Sequence, residues 1–296
     1  MQRSKILVTG GTGQVGFEVA RALNVLGEVV APTRAELDLN DAKAVRAFLE
    51  NETPEVIVNP AAYTAVDKAE SEAEANWQLN AELPKLLADY AAIHRIPLVH
   101  FSTDYVYPGD GVTAWSETSN TNPTNAYGCA KLAGDQAVMN ALDGVVDHYI
   151  LRTSWVYSAR GNNFMKTMLR LARDKPALTV VDDQIGAPTS ARLLASIVLL
   201  ILLKRPESGV YHAVPNGSTS WKEFAQQIFS QALEADEKLA LTPNDVSGIT
   251  TSNYPTPASR PLNSRLNVTK LERALGIILP SWESELALTL KEYLEN

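Results

Sequence analysis

Short apolar runs alternate with longer stretches of helical period through the first half of the chain. Residues 5–9 form a continuous aliphatic and β-branched run, the pattern of a strand covered on both faces. Residues 16–26 follow a helical period, 28–31 read as a strand, 42–51 as a helix and 56–59 as a strand. The pattern continues with a helix over 76–94, a strand over 97–102, a helix over 131–142 and a strand over 148–153. Strands separated by helices in this rhythm build right-handed βαβ crossovers, so the expectation is an α/β fold with a doubly wound parallel sheet.

After about residue 155 the rhythm breaks. Residues 163–174 read as a helix and 178–181 as a strand, while the apolar run from 193 to 203 reads as a buried helix. That run is far short of the roughly 20 residues that cross a bilayer, so no membrane partner is expected. Helices are expected over 221–233 and 282–294. Between them, residues 243–261 are dense in Ser, Thr, Asn and Pro and read as an irregular loop. The expected division is a nucleotide-binding unit over residues 1–155, to which later segments are free to return, and a smaller, mainly substrate-binding α/β part over 156–296.

Composition narrows the class. The chain has 296 residues, 45% of them hydrophobic and 20% charged, and a net charge of −8. A general nucleic-acid binder needs a basic face for phosphates, so nucleic acid is not an expected partner. The single cysteine, Cys129, forms no internal disulfide, and the opening apolar run of Ile6-Leu7-Val8-Thr9 is shorter than the roughly 7–15 residues of an export signal. Both point to the reducing cytoplasm.

The segment Gly10-Gly11-Thr12-Gly13-Gln14-Val15-Gly16 lies between the first strand and the first helix. Glycines at this spacing let the backbone turn tightly and approach a pyrophosphate, which the amides opening the helix then face. The fold expected is therefore Rossmann-type, with Gly10, Gly13, Gln14 and Val15 at a dinucleotide. At the end of the second strand an acidic side chain would bind the ribose 2′-hydroxyl and repel a 2′-phosphate. Ala31-Pro32-Thr33-Arg34 has no acid there. Thr33 and Arg34 fit a 2′-phosphate, so NADPH is the preferred cofactor and NADH the alternative. Asp38, slightly further on, fits the adenine or caps the next helix.

Tyr127 and Lys131 are four residues apart and so share one helical face. Reducing a ketone requires a proton for the developing alkoxide as hydride arrives, and free tyrosine, with a pKa near 10, is a reluctant acid at neutrality. A neighbouring ammonium would bring it toward the working pH, and Lys131 would also hydrogen-bond the nicotinamide ribose. Thr103, just past the strand at 97–102, sits where open α/β sheets bind ligands and would hold a substrate carbonyl near Tyr127.

With these pieces in place, the chain resembles the dTDP-4-dehydrorhamnose reductase family of the extended short-chain dehydrogenase/reductase superfamily. The matching segments are 10–16, 56–72, 102–106, 127–134, 152–157, 161–171, 183–189 and 254–266. The resemblance implies reduction of the 4-keto group of dTDP-4-dehydro-L-rhamnose to dTDP-L-rhamnose, a nucleotide sugar used for cell-wall polysaccharide. Tyr127 would donate the proton with Lys131 as its partner. Gly13, Gln14, Val15, Asp38, Leu39, Ala62, Tyr63 and Thr64 would hold the cofactor. Thr103, Asp104 and Trp155 would contact the sugar, and Asn162, Asn163, Phe164, Arg260 and Arg265 would approach the nucleotide.

Two departures stand out. Some members carry an acid where this chain has Thr33, which again favours NADPH. Some also dimerise around Mg²⁺ held by glutamates; Glu18 and Glu292 match two ligands, but the third falls on Arg192. A cation there repels Mg²⁺, so no metal is expected, and monomer and homodimer both stay open. The rival readings are another nucleotide-ketosugar reductase or an epimerase of the superfamily, and a non-catalytic reductase-like regulatory subunit.

Overall fold

The computed structural model describes residues 4–295. The first half runs β1 (Ser4–Val8), α1 (Gln14–Leu23), β2 (Gly27–Val30), α2 (Ala42–Glu52), β3 (Val56–Asn59), α3 (Val66–Ala69), α4 (Ala73–Trp77), α5 (Leu83–His94), β4 (Leu98–Thr103), α6 (Ala126–Leu142) and β5 (His148–Thr153). The second half continues with β6 (Val156–Tyr157), α7 (Phe164–Asp174), β7 (Leu178–Val181), β8 (Ile185–Gly186), β9 (Thr189–Ser190), α8 (Ala191–Lys204) and β10 (Gly209–His212). It closes with β11 (Thr219–Ser220), α9 (Trp221–Glu234), β12 (Val246–Ile249), α10 (Thr269–Leu275) and α11 (Trp282–Leu294). Among the described residues, no helix is long and apolar enough to cross a membrane.

Six strands form one parallel sheet in the order β10-β5-β4-β3-β1-β2. One face is covered by α1 and α8, whose Val19, Leu23, Leu194, Val198 and Ile201 join the apolar side chains of the sheet. The other is covered by α2, α5 and α6 through Val45, Leu49, Leu87, Ala91, Val138 and Leu142. Coverage on both faces is why the strands read as continuous apolar runs; β4 and β5 are buried at every position. From β1 the chain winds outward to β2 and then crosses to β3 on the other side. That reversal opens a crevice beyond the strand ends, the usual place for a ligand in such sheets.

A third core joins α7, α9 and α11 through Met165, Leu169, Phe224, Ile228, Leu286 and Leu290. It lies entirely in the second half of the chain. By contrast α8 and β10, also beyond residue 155, complete the first sheet: β10 pairs with β5 from Gly209↔Tyr149 to His212↔Arg152.

The segment 243–261 departs from the expected irregular loop. Val246–Ile249 is a strand, parallel to β7 from Val246↔Leu178 to Ile249↔Val181. The Ser and Gly between its two β-branched residues hide the apolar pattern, and long-range pairing overrides weak local propensity. The helix expected over 76–94 is interrupted by a π-helical turn at Gln78–Glu82. The helix expected from 131 begins earlier, at Ala126, because Asn125 caps it by accepting from the Gly128 amide at 2.8 Å.

Those two helices meet at a glycine. A Cβ on Gly134 of α6 would lie 2.2 Å from the Asn80 carbonyl oxygen in the π-turn. The π-turn in turn aims Asn80 inward, where its side chain accepts from the Tyr63 amide at 3.1 Å and donates to the Tyr63 carbonyl at 2.9 Å. Gly134→Ala is therefore expected to push α6 off the turn. Urea denaturation should show a loss of about 1–3 kcal/mol, the usual cost of overpacking, with an unchanged m-value.

Candidate active site

The ends of the central strands open onto a cleft of about 1030 Å³. At its floor Gly10 takes φ +59°, and a Cβ there would press on Ala61 at 3.1 Å. A Cβ on Gly16 would fall 2.1 Å from the Gly10 carbonyl, so the turn closes only with glycine at that position. The Gly13 amide donates to that carbonyl at 2.9 Å, and Gly13 is the residue preceding α1. The first free amides of α1 thus open beside Gln14 and Val15, both on the cleft wall. Beneath the turn, the Thr9 hydroxyl donates to Asn59 Oδ1 at 2.6 Å and accepts from the Ala61 amide, tying β1 to β3 across the switch point.

At one end the cleft is lined by Pro32, Arg34, Asp38 and Leu39. Asp38 Oδ1 accepts from the amide and side chain of Asn40, and these bonds hold its carboxyl below the ordinary range, with help from Arg34. Thr33 is not on the wall; its amide donates to Glu36 Oε2 at 2.7 Å. Glu36 is an acid just past β2 that the sequence pattern did not single out, and it too stays off the cleft wall. Ala62, Tyr63 and Thr64 line the cleft beyond β3. The Tyr63 hydroxyl donates to Glu72 at 2.7 Å, which pushes the phenol up to about 12.

The other end holds the chemistry. Tyr127 and Lys131 lie on α6 and reach the cleft together with Thr103, the last residue of β4, and Asp104, which follows it. The Thr103 hydroxyl donates to Asp104 Oδ1 at 3.1 Å, and burial raises the Asp104 carboxyl to about 6 despite that bond. Tyr127 corrects one expectation. Its phenol is held well above the ordinary value, because burial disfavours the phenolate more than the Thr103 hydroxyl bond favours it. Lys131 does not lower it here, since its ammonium donates instead to the Phe101 carbonyl at 2.5 Å. Tyr127 is thereby firmly protonated, and as an acid it is weaker than free tyrosine.

Burial pulls the Lys131 ammonium down to about 8, opposed by Asp135 one turn along α6. Asp135 is the centre of a buried polar chain. Arg152 of β5 donates to its Oδ2 at 3.1 Å and to the Tyr107 hydroxyl at 2.8 Å. That hydroxyl shares a 2.7 Å bond with His212 of β10. On the far side His100 Nε2 lies 3.9 Å from Asp135 Oδ1, and burial with the nearby Lys131 charge keeps His100 neutral. None of these residues was singled out from the sequence. The available signal was a set of polar residues, His100, Ser102 and Arg152, inside otherwise continuous apolar strands.

Trp155 takes a left-handed φ of +48° and stacks on Trp221, with centroids 3.7 Å apart and planes at 13°. Trp221, which opens α9, also lines the cleft and escaped the sequence pattern. Phe164 packs behind it at 4.6 Å, off the cleft wall. Asn162 lines the cleft, whereas Asn163 caps α7 and donates to Gln14 Oε1 at 2.8 Å, toward the glycine turn. Arg260 pairs with Asp67 at 2.7 Å and donates to the Tyr105 hydroxyl at 3.2 Å, one layer behind the wall. Arg265 turns away to Asn263. Off the cleft wall, Arg192 bridges Glu18 at 3.6 Å and Glu292 at 2.9 Å.

Residues 4–295 match the family described as RmlD substrate binding domain. The chain belongs to this family. It is 46% identical over 286 residues to dTDP-4-dehydrorhamnose reductase of Salmonella typhimurium, covering 94% of each chain. It is 43% identical to the protein of that name from Escherichia coli K12, over 97% of each. Among solved structures, a dTDP-4-dehydrorhamnose reductase from Clostridium acetobutylicum superposes with a TM-score of 0.89 at 37% identity, over 99% of this chain and 100% of that one. One from Bacillus anthracis, in complex with NADP, gives a TM-score of 0.89 at 33% identity, over 98% and 100%.

Asp135→Asn removes the carboxylate that pairs Arg152 and attracts Lys131. Urea melts should show a loss of about 3–5 kcal/mol, the cost of leaving one buried charge unpaired. Because the carboxylate favours the ammonium, the Lys131 pKa moves further below 8 in the variant. Where the variant folds, the alkaline limb of its pH–rate profile should begin at lower pH than in the parent.

Proposed function

We propose that this chain transfers hydride from NADPH to C4 of dTDP-4-dehydro-L-rhamnose, giving dTDP-L-rhamnose. The observation that carries the reading is Tyr127 and Lys131 on one face of α6, beside Thr103 at the end of β4, in a chain of the RmlD family. The glycine turn fits a dinucleotide: a Cβ at Gly16 would strike the Gly10 carbonyl and spoil the tight turn that leads into the opening of α1. Gly10, Gly13, Gln14 and Val15 would hold its diphosphate, Ala62, Tyr63 and Thr64 its middle, and Arg34, Asp38 and Leu39 its adenosine end.

When bound, the nicotinamide supplies the hydride. Thr103 holds the 4-keto oxygen in hydrogen-bond reach of Tyr127, and Asp104 and Trp155 position the sugar. As negative charge develops on that oxygen, Tyr127 gives up its phenolic proton, and the high pKa set by burial is offset by the growing basicity of the alkoxide. Lys131 steadies the phenolate that forms, and solvent returns the proton. The product carries one new C–H and one new O–H bond, with the dinucleotide left oxidised.

Arg34 supports NADPH over NADH, since a guanidinium matches a 2′-phosphate. The reading also leaves no Mg²⁺ between Glu18 and Glu292, because the Arg192 guanidinium stands between the two carboxylates. It places the enzyme in the cytoplasm, in keeping with a single cysteine.

Oxidation of NADPH and NADH in the presence of dTDP-4-dehydrorhamnose, with the product sugar identified, tests the function directly; turnover only with a different ketosugar would refute the substrate. Tyr127→Phe is expected to retain cofactor affinity and lower kcat by about 10²–10⁴-fold, the contribution of a positioned acid. Arg34→Ala is expected to raise KM for NADPH by about tenfold, equivalent to one charge-assisted hydrogen bond. The KM for NADH should stay nearly constant.

A further inference from the structure

The cleft wall carries three cations: Arg34, Lys131 and Arg160. The proposed chemistry uses Arg34 at the adenosine end and Lys131 beside Tyr127. Arg160 has no task there, and among the described residues no ion pair occupies its guanidinium. It belongs to the loop between β6 and α7, in the second half of the chain, yet it is held at the glycine turn. Its guanidinium lies over the Phe17 ring, 3.6 Å from the centroid. Phe17 is in the first turn of α1, where its amide donates to the Gly13 carbonyl at 3.0 Å.

The loop is fastened in place. Asn163 donates to Gln14 Oε1 at 2.8 Å and to the Ser158 carbonyl at 2.7 Å, while the Arg160 amide donates to the Ser158 hydroxyl at 3.1 Å. Gly161 takes φ +68°, and a Cβ there would sit 3.1 Å from Gln14 Cγ. A guanidinium stacked on an aromatic face keeps its N–H edge available for an anion. The opening of α1 offers amide donors and about half a unit of positive charge, which is less than a diphosphate carries.

We propose that Arg160 is the cation that pairs with the cofactor's diphosphate, delivered by the second half of the chain on a loop latched to Gln14. The proposal rests on the dinucleotide reading above. It makes the diphosphate site a joint product of both halves, so that binding the cofactor tightens the loop that leads into the substrate part.

The test compares direct binding of four probes to the full chain: NADPH, 2′-phospho-ADP-ribose, adenosine 2′-monophosphate and dTDP. Arg160→Gln should weaken NADPH and 2′-phospho-ADP-ribose by about tenfold, the worth of one charge-assisted bond. Adenosine 2′-monophosphate, which has no diphosphate, and dTDP should bind as before. Arg160→Lys keeps the charge and loses the planar fork, so it should fall between parent and Gln. Unchanged NADPH binding in Arg160→Gln overturns the proposal. So does equal weakening of adenosine 2′-monophosphate, which marks a general disturbance, or weakening of dTDP alone, which assigns the cation to the sugar nucleotide. A parent chain that binds no dinucleotide overturns the cofactor reading itself.

Discussion

A lysine ammonium inside a parallel sheet protein is the demanding element of this structure. Lys131 is 2% exposed, and a charge so placed must find partners or give up its proton. It finds the Phe101 carbonyl and the field of Asp135. Asp135 is then itself a buried charge and needs Arg152, which needs Tyr107, which meets His212. One ammonium therefore recruits polar residues from α6, β4, β5 and β10. The chain of partners also locks the register of the strands whose ends form the cleft, since a slip of one residue would strand a charge in the core.

The phenol beside that lysine obeys the same rule with the opposite sign of shift. Burial stabilises the neutral form of Tyr127 and lowers the charged form of Lys131. A group that holds its proton until an alkoxide forms nearby acts in the transition state and is quiet in the ground state, which is where catalytic advantage arises. An ammonium aimed at a backbone carbonyl keeps that balance.

Much of the sheet was legible because continuous apolar runs have few alternatives once helices separate them, and the glycine turn was legible because three glycines at that spacing answer a steric demand seen directly at Gly16. Tyr127, Lys131, Thr103 and Asp104 came together because they sit at strand ends and on the helix that follows. What escaped depends on partners distant in sequence. Val246–Ile249 is a strand only through β7, and β10 only through β5. The π-turn at Gln78–Glu82 exists to point Asn80 at Tyr63. The resemblance puts Arg260 near the nucleotide, yet Asp67, earlier in the chain by more than the whole length of the first unit, pairs with it.

The boundary expected near residue 155 shows why a linear division underdescribes this fold. The chain leaves the first sheet after β5, places Trp155 on the cleft wall, runs past the glycine turn at Gly161 and Asn163, and only then builds α7 and its separate core. It returns with α8, which packs on α1, and β10, which extends the sheet. The passage between cores is therefore also the wall of the cleft. A segment so placed cannot shift without moving both the Gln14 contact and the Trp155–Trp221 stack. The glycine-turn end and the Trp155 end of the cleft are in this way joined by the backbone of residues 155–163, each end fixed by its own packing.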